Sequence, residues 1–181
     1  GYRYFDANTD DARLVLRLIR ESVAGGALAL NYACVESLLR KQNGEVCGAV
    51  VEDTSGEATR QVEVHARVVI NATGAWADEL RGKINHTPRL RPLRGSHLVL
   101  PFDRLPLKRA VSFMHPRDGR PVFALPWEGA VVFGTTDVDH RDPLQTDPSI
   151  SAPEAEYLLE ALQKIFPSQA LTFADVLSTY S

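Results

Sequence analysis

His97 is the residue of this sequence whose side chain is best suited to acid–base chemistry. It follows Gly95 and Ser96, so a hydroxyl and an imidazole are neighbours in the chain. Adjacent side chains of a strand point to opposite faces, which makes the two groups poor partners for proton transfer. The segment also lacks the Gly-x-Ser-x-Gly pattern of a nucleophile elbow, which argues against a serine hydrolase. His97 alone could act as a general base, although the pattern by itself favours a histidine that is simply held in its sheet.

A second polar group lies at residues 134–137, whose sequence is Gly-Thr-Thr-Asp. Two hydroxyls, a carboxylate and a flexible glycine at the end of a strand can line a polar pocket or form a turn. The residues alone favour the turn.

A third group is cationic and lies between residues 81 and 94. Such a group could gather an anion, for example a phosphate. Its spacing fits neither one face of a strand nor one stripe of a helix, so a solvated surface is favoured. Its members are Arg81, Lys83, Arg89, Arg91 and Arg94.

The sequence predicts no metal site. Cys34 and Cys47 lack Cys-x-x-Cys spacing, which favours a reducing compartment over a disulfide or zinc framework. The remaining histidines lack ligand spacing and are predicted to be structural or exposed. They are His65, His86, His115 and His140.

The composition is that of an ordinary globular protein. The 181 residues are 44% hydrophobic and 24% charged with a net charge of −3, which corresponds to about one domain and excludes disorder for the chain as a whole. No block of like charges indicates nucleic-acid binding. No apolar run approaches the ~20 residues of a membrane span, and the Gly-x-Gly-x-x-Gly dinucleotide fingerprint is absent.

The elements that position these groups can be predicted in two parts, of which the first ends near residue 80. Asp10 and Asp11 precede a predicted helix that Gly25 and Gly26 end, and its apolar stripe, between Leu14 and Val23, is expected to face a core. Residues 27–35 are predicted to form a strand buried on both faces. Residues 46–52 and 61–67 are predicted to pair as a half-exposed hairpin.

A short apolar run, residues 68–70, is then predicted to be a strand buried on both faces. Residues 71–76, most of which are small, follow it and lead into a helix at 77–80. At such a turn a backbone can approach a ligand closely.

The second part of the chain is predicted to be a closely stranded sheet with one secure helix. The spacing of the strands favours a mixed or antiparallel sheet. Ser151 and Glu154 form a capping box that begins a helix with an apolar stripe extending to Phe166. The predicted strands are residues 96–101, 110–114, 121–125 and 130–135.

Several motifs occur together in a specific order and extend over nearly the whole chain. They are Phe5-Asp6, residues 9–14, Asn31-Tyr32-Ala33 with Val35, residues 71–78, residues 94–97, residues 123–127, residues 134–137 and residues 179–181. In these motifs the chain resembles the central part of the FAD-dependent glycerol-3-phosphate dehydrogenases, within the D-amino-acid-oxidase-like flavoproteins.

The resemblance implies an α/β (α+β) fold in two domains. Residues 1–80 would be part of a FAD-binding dinucleotide domain that lacks the family's N-terminal glycine-rich loop. Residues 81–181 would belong to a substrate domain with a mixed or antiparallel sheet and flanking helices. The sole methionine is Met114 and the chain ends in a strand-like stretch, so we expect a piece of a longer protein.

The resemblance also implies an activity. It is the oxidation of sn-glycerol 3-phosphate to dihydroxyacetone phosphate, with hydride transfer to FAD and electrons passed to quinone, or to oxygen in oxidase relatives. His97 and Thr135 are the implied catalytic residues, with Thr136 and Asp137 as support. The implied cofactor-binding residues are Val35, Ala72, Thr73, Gly74 and Trp76.

The implied location is the cytoplasm, with peripheral attachment to the cytoplasmic face of the inner membrane as a feature of quinone-reducing relatives. The sequence does not indicate an oligomeric state. Two alternatives stay open at this point: a related FAD-dependent amine or amino-acid oxidase, and a non-catalytic binding module.

We expect the isolated chain neither to retain FAD tightly nor to turn over substrate, because the resemblance places the pyrophosphate loop and much of the phosphate clamp outside it. The flavin absorbance of the chain, purified after incubation with FAD, measures this. A yellow sample with stoichiometric flavin would contradict the expectation.

Overall fold

The computed structural model describes residues 2–56, 60–84 and 87–181. His86, predicted to be structural or exposed, lies outside these ranges. The chain divides into two compact units, Gly1–Asn71 and Ala72–Ser181. The assignment of residues 1–80 to a FAD-binding domain and of 81–181 to a substrate domain stays a prediction.

The first unit begins with the helix α1 (Asp11–Ala24). Its first turn is capped because the Asp10 carboxylate accepts a hydrogen bond of 2.9 Å from the backbone N–H of Arg13, and it ends at Gly25. The helix and its end at the glycines are confirmed, and Asp11 belongs to its first turn instead of preceding it. The prediction that its apolar stripe faces a core is wrong, because no residue of α1 is buried and nothing in the described part of the unit covers the stripe.

Three antiparallel strands, β1 (Ala33–Arg40), β2 (Val46–Asp53) and β3 (Arg60–His65), complete the regular structure of this unit in the order β1-β2-β3. The pairing of the predicted hairpin is confirmed, since Glu52 lies opposite Gln61. Its predicted half-burial is wrong for β3, all of whose residues are exposed. The prediction of a strand buried on both faces at residues 27–35 is wrong. β1 starts only at Ala33, and Val35 is 37% exposed, so no packed layer among the described residues covers its side chain.

The apolar run at residues 68–70 is also not a strand. Val68 and Ile70 are 73% and 82% exposed. An apolar segment becomes a buried strand only where neighbouring strands satisfy its backbone and packed layers cover its side chains. Within the described residues, no strand lies beside this run.

The second unit is built on a five-stranded antiparallel sheet of order β10-β5-β8-β7-β6, beside a two-stranded ladder of β4 and β9. The antiparallel alternative of the prediction is therefore the observed one. Its helices are α2 (Ala77–Gly82), which follows a 3-10 turn at Gly74–Trp76, and α3 (Ala152–Ile165). The strands are β4 (Leu93–Arg94), β5 (His97–Pro101), β6 (Val111–Met114), β7 (Pro121–Trp127), β8 (Ala130–Gly134), β9 (Val138–Asp139) and β10 (Ser178–Tyr180).

Helix α3 covers one face of the sheet. Because side chains alternate along a strand, Leu98 and Leu100 of β5 point into the core while His97 and Val99 point to the other face. Each buried leucine contributes roughly 2 kcal/mol. The core consists of Leu98, Leu100, Leu105, Val122, Ala124, Val131, Phe133, Leu158, Ala161, Leu162 and Leu171.

The predicted capping box of α3 is confirmed. The carboxylate of Glu154 accepts hydrogen bonds from the backbone N–H of Ser151 at 3.0 Å and from its hydroxyl at 2.6 Å. The same carboxylate is only 5% exposed and pairs with Arg94 at 2.6 Å. Burial alone would raise the pKa of Glu154, but the hydrogen bonds from Arg94, Ser151 and Ser96 outweigh it and lower the pKa to about 2.

We expect Glu154→Gln to destabilise the chain at neutral pH. The ionised Glu154 contributes roughly 3 kcal/mol at pH 7, because its folded-state pKa lies below its ordinary value. A lowered pKa stabilises the fold above the unfolded-state pKa, and this contribution is lost as the pH falls toward the folded-state value. The difference between wild type and variant in urea denaturation should therefore narrow from about pH 5 to about pH 3. A difference that is constant across this range would contradict the expectation.

Candidate active site

His97 occupies the first position of β5, between two neighbouring strands. Its cross-strand partners are Tyr180 of β10 and Gly134 of β8. The His97 and Tyr180 rings are stacked, with centroids 4.6 Å apart and planes inclined by 10°. A side chain at position 134 would overlap the imidazole of His97. The ring is thus fixed by an aromatic surface on one side and by a glycine on the other.

One polar atom of the His97 ring has no partner in the packing of the unit. Its Nδ1 is buried and has no hydrogen-bond partner among the residues that the structure describes. Burial lowers the pKa of His97 below the usual value for histidine, so the ring is neutral at neutral pH. A neutral imidazole without a partner can accept a proton from a bound ligand.

Thr135 lies close to the segment that carries His97. A side chain at Gly95 would overlap the Thr135 hydroxyl, so the two segments approach because position 95 has none. The hydroxyl of Thr135 donates to the carbonyl of Thr136 at 3.0 Å, and the Gly134–Thr135 peptide is cis. The structure therefore places His97 and Thr135 at neighbouring positions of adjacent segments, and their catalytic roles stay predictions.

Ser96 and His97 do not interact with each other. The Ser96 side chain is fully buried on the α3 side, where its hydroxyl donates to Glu154 at 2.8 Å. This agrees with the expectation that adjacent strand residues point to opposite faces. A serine–histidine catalytic pair is incompatible with this arrangement.

The residues predicted to bind the cofactor are divided between the two units. Val35 lies in the first unit, in β1, whereas Ala72, Thr73, Gly74 and Trp76 lie in the second. Gly74 has a φ of +58°, a conformation that favours glycine, and a Cβ there would meet no atom within 4 Å. Space is therefore available beside the backbone at this turn.

The turn is fixed through Asp78 of α2. The Asp78 carboxylate accepts hydrogen bonds of 2.7 Å from the backbone N–H groups of Arg89 and Leu90. The bond from Leu90 contributes most to a lowered pKa of Asp78, which burial opposes. The helix after the turn is thus attached to the segment that leads into β4.

Three of the clustered cations are already paired. Arg81 bonds to Asp78, Arg91 bonds to Asp139 at 2.6 Å, and Arg94 bonds to Glu154. The favoured expectation of a solvated surface is wrong for Arg94, whose side chain is 14% exposed. Its charge is held in the unit because it compensates the buried Glu154 carboxylate.

A cavity of about 440 Å³ lies at the N-terminal end of α3, and neither His97 nor Thr135 lines it. Its arginines are compensated within the part of the chain that the structure describes, since Arg120 bonds to Asp137 at 2.9 Å and Arg117 bonds to Glu160. It therefore presents no uncompensated cation to an anionic substrate. It is lined by Arg94, Arg117, Asp118, Arg120, Thr136, Asp137, Val138, Asp139, Ser151, Pro153, Glu154 and Tyr157.

The described residues contain neither a metal-binding cluster nor a membrane-spanning helix. No group of three or more histidine, cysteine, aspartate or glutamate residues there is arranged to hold a metal ion. None of the helices in these ranges has both the length and the apolar character needed to cross a membrane.

Sequence reasoning missed Tyr180 and the wider role of Glu154. Tyr180 contacts His97 because β10 pairs with β5. No local sequence pattern predicts a pairing between segments so distant in the chain. Glu154 was identified as a helix cap, but its bonds to Ser96 and Arg94 depend on where α3 packs. The sequence did offer one signal. Side chains alternate along the predicted strand 96–101, so Ser96 and His97 were expected to point to opposite faces.

Comparison with known proteins decides the family of the chain. The model of the family described as FAD dependent oxidoreductase matches residues 1–181. The chain belongs to this family. The predicted α/β (α+β) fold class, with a FAD-binding part, is confirmed by this match and by the solved structure of a FAD-bound relative.

The curated relatives are longer than this chain. An aerobic glycerol-3-phosphate dehydrogenase from Bacillus subtilis is 36% identical over 184 residues, which cover 100% of this chain and 32% of the relative. An alpha-glycerophosphate oxidase from Streptococcus pneumoniae is 36% identical over 186 residues, covering 100% of this chain and 30% of the relative. The chain thus spans about a third of the length of these relatives.

The solved structures agree. The glycerol-3-phosphate dehydrogenase from Bacillus halodurans, complexed with FAD, is 40% identical with a TM-score of 0.84. The match covers 95% of this chain and 34% of the dehydrogenase chain. The L-proline dehydrogenase from P. horikoshii is 16% identical with a TM-score of 0.57. The match covers 92% of this chain and 41% of the L-proline dehydrogenase chain. The latter likeness shows the fold alone.

We expect the His97 imidazole to titrate below the usual histidine range, and Tyr180→Ala to bring its pKa closer to 6.5, because removing the stacked ring exposes the imidazole to water. The pH dependence of the imidazole C–H signals in NMR spectra measures this, with His97→Gln identifying the signal. Tyr2→Ala, which alters a fully exposed tyrosine, is the matched control. An unchanged midpoint in Tyr180→Ala would contradict the expectation.

Proposed function

We propose that this chain is part of an FAD-dependent enzyme that oxidises sn-glycerol 3-phosphate to dihydroxyacetone phosphate. The observation that carries the proposal is the state of His97: its ring is fixed, its pKa is lowered and its Nδ1 has no partner in the described residues. Relatives named glycerol-3-phosphate dehydrogenase, which are similar along the whole chain, support the choice of substrate.

The residues present fit a bound flavin cofactor. The turn at Gly74 has open space where a side chain would stand, so a ligand can approach the backbone of Ala72, Thr73 and Gly74. Trp76, which follows in the same turn, is 47% exposed and offers an aromatic surface. We propose that these residues hold FAD. For Val35, of the first unit, the proposal to bind FAD rests on the family resemblance.

His97 lies on the face of the sheet opposite α3, which we call the uncovered face. Val99, Phe123 and Val132 lie on it and are partly exposed, whereas their strand neighbours are buried under α3. An apolar surface next to an unpartnered imidazole suits a planar ring and a small polar substrate.

In the proposed mechanism, His97 accepts the proton of the substrate hydroxyl as the carbon–hydrogen bond breaks. Bound FAD supplies a two-electron acceptor for the hydride. We propose that Thr135, on the segment next to His97, orients the substrate through its hydroxyl, with Thr136 and Asp137 supporting it. The low pKa of His97 keeps the ring unprotonated and ready to act as base at neutral pH.

The substrate phosphate requires cationic partners. Arg81, Arg91 and Arg94 already bond to carboxylates, so we do not assign the phosphate to them. We propose instead that its partners belong to the part of the whole protein that this chain does not span.

The electron acceptor of the whole protein is proposed to be quinone, and this choice rests on the family resemblance alone. A cytoplasmic location with peripheral attachment to the inner membrane accompanies this proposal. No observation on these residues favours an amine or amino-acid oxidase or a non-catalytic module.

We expect His97→Gln in the whole protein to slow flavin reduction by glycerol 3-phosphate about 10²- to 10⁴-fold, because the general base is lost. Bleaching of the flavin absorbance under anaerobic stopped-flow conditions measures the rate, and FAD content should not change. His65→Gln, in the exposed strand β3, is the matched control and should keep the wild-type rate.

Two outcomes would overturn the proposal. A wild-type rate in His97→Gln would remove the base from the mechanism. Bleaching by amino acids, and not by glycerol 3-phosphate, would replace the substrate and bring the oxidase alternative forward.

A further inference from the structure

The carboxylate of Glu154 makes more contacts than a helix cap requires. Its Oε1 accepts hydrogen bonds from the hydroxyls of Ser96 at 2.8 Å and Thr136 at 2.9 Å. Its Oε2 accepts from Arg94 at 2.6 Å in addition to the capping bonds from Ser151. Four residues from three segments of the second unit therefore converge on one buried side chain.

Comparison with α1 shows how unusual this cap is. The Asp10 carboxylate that begins α1 bonds to Arg13 in its own first turn, through the backbone N–H and the guanidinium. Capping needs only such local contacts. The bonds of Glu154 to Ser96 and Thr136 reach across to the sheet and serve another purpose.

Thr136 links the two sheet segments to each other as well as to Glu154. Its hydroxyl accepts a hydrogen bond of 2.9 Å from the backbone N–H of Ser96 while it donates to Glu154. Ser96 directly precedes His97, and Thr136 directly follows Thr135. The backbone beside each of the two proposed catalytic residues is thus held against the same carboxylate.

We propose that Glu154 is a positioning residue for His97 and Thr135, acting through Ser96 and Thr136 from the opposite face of the sheet. The inference rests on the proposed function, because it assigns a role relative to those two residues. Glu154 itself does not contact the reacting atoms: its side chain is on the α3 side, whereas His97 is on the uncovered face. Its effect is to fix where the imidazole and the hydroxyl stand.

The reason for a charged residue lies in the number of donors. Five different donor groups point at this carboxylate, from Arg94, Ser96, Thr136 and both polar groups of Ser151. A carboxylate offers acceptor sites only, whereas the amide of glutamine replaces one oxygen by a donor. Glu154→Gln therefore keeps the shape but opposes at least one of these bonds.

The test uses the whole protein loaded with FAD and four variants. Glu154→Gln disturbs the carboxylate, Thr136→Val removes the linking hydroxyl, and Thr136→Ser restores it. Leu162→Val is the control for stability, since Leu162 is buried in the same helix, two turns beyond Glu154. The readouts are the limiting rate of anaerobic flavin reduction, the substrate dissociation constant, FAD content and the thermal unfolding midpoint.

We expect Glu154→Gln and Thr136→Val to lower the limiting rate about 10- to 100-fold by misplacing the base, while FAD content and the substrate dissociation constant stay close to wild type. Thr136→Ser should recover most of the rate. Leu162→Val should unfold at a lower temperature and keep the rate. Wild-type rates in Glu154→Gln and Thr136→Val, or an equal loss of rate in Leu162→Val, would overturn the inference.

A second measurement separates this inference from the proposed function. The NMR signals of the His97 imidazole in the chain should shift in Glu154→Gln and Thr136→Val and return in Thr136→Ser. If glycerol 3-phosphate fails to bleach the wild-type flavin, the proposed function falls, and shifted His97 signals would still support positioning by Glu154. Unchanged signals in both variants would overturn the positioning role whatever the substrate.

Discussion

Compensation of the buried Glu154 carboxylate is the constraint on which the arrangement of the second unit depends. A buried charge is costly unless it is paired and fully hydrogen-bonded. Meeting that requirement brings the Arg94 guanidinium and the hydroxyls of Ser96 and Thr136 to the first turn of α3. The start of β5, the end of β8 and the start of a helix are thereby held at one point.

The two faces of the sheet differ because α3 covers only one of them. On the covered face, alternate residues such as Leu98 and Phe133 form the core. On the other face, His97 stands between Tyr180 and Gly134, and its Nδ1 has no hydrogen-bond partner in the described residues. One face thus provides stability, and the other presents the groups that the proposed chemistry requires. Glu154 connects the two faces, because it accepts a hydrogen bond from Ser96, the residue that directly precedes His97.

Much of the local structure was predictable, and the reason is the short range of the interactions involved. The caps of α1 and α3, at Asp10 and Ser151, involve residues within one helical turn. The hairpin of β2 and β3 follows from alternation and a nearby turn. The prediction failed for the apolar stripe of α1 and for residues 68–70, whose burial needs partners that the described part of the first unit does not supply.

By itself, the sequence determined the types of most elements, the family and the FAD cofactor, since these are expressed in local patterns and in ordered motifs. It also singled out His97 and Thr135, whose proximity the structure then showed through Gly95 and Gly134. Only the tertiary structure decided that Tyr180 stacks on His97 and that Glu154 bonds to Ser96. Those contacts join segments distant in the chain, and they exist because of strand order and helix packing, which no local pattern of residue types specifies.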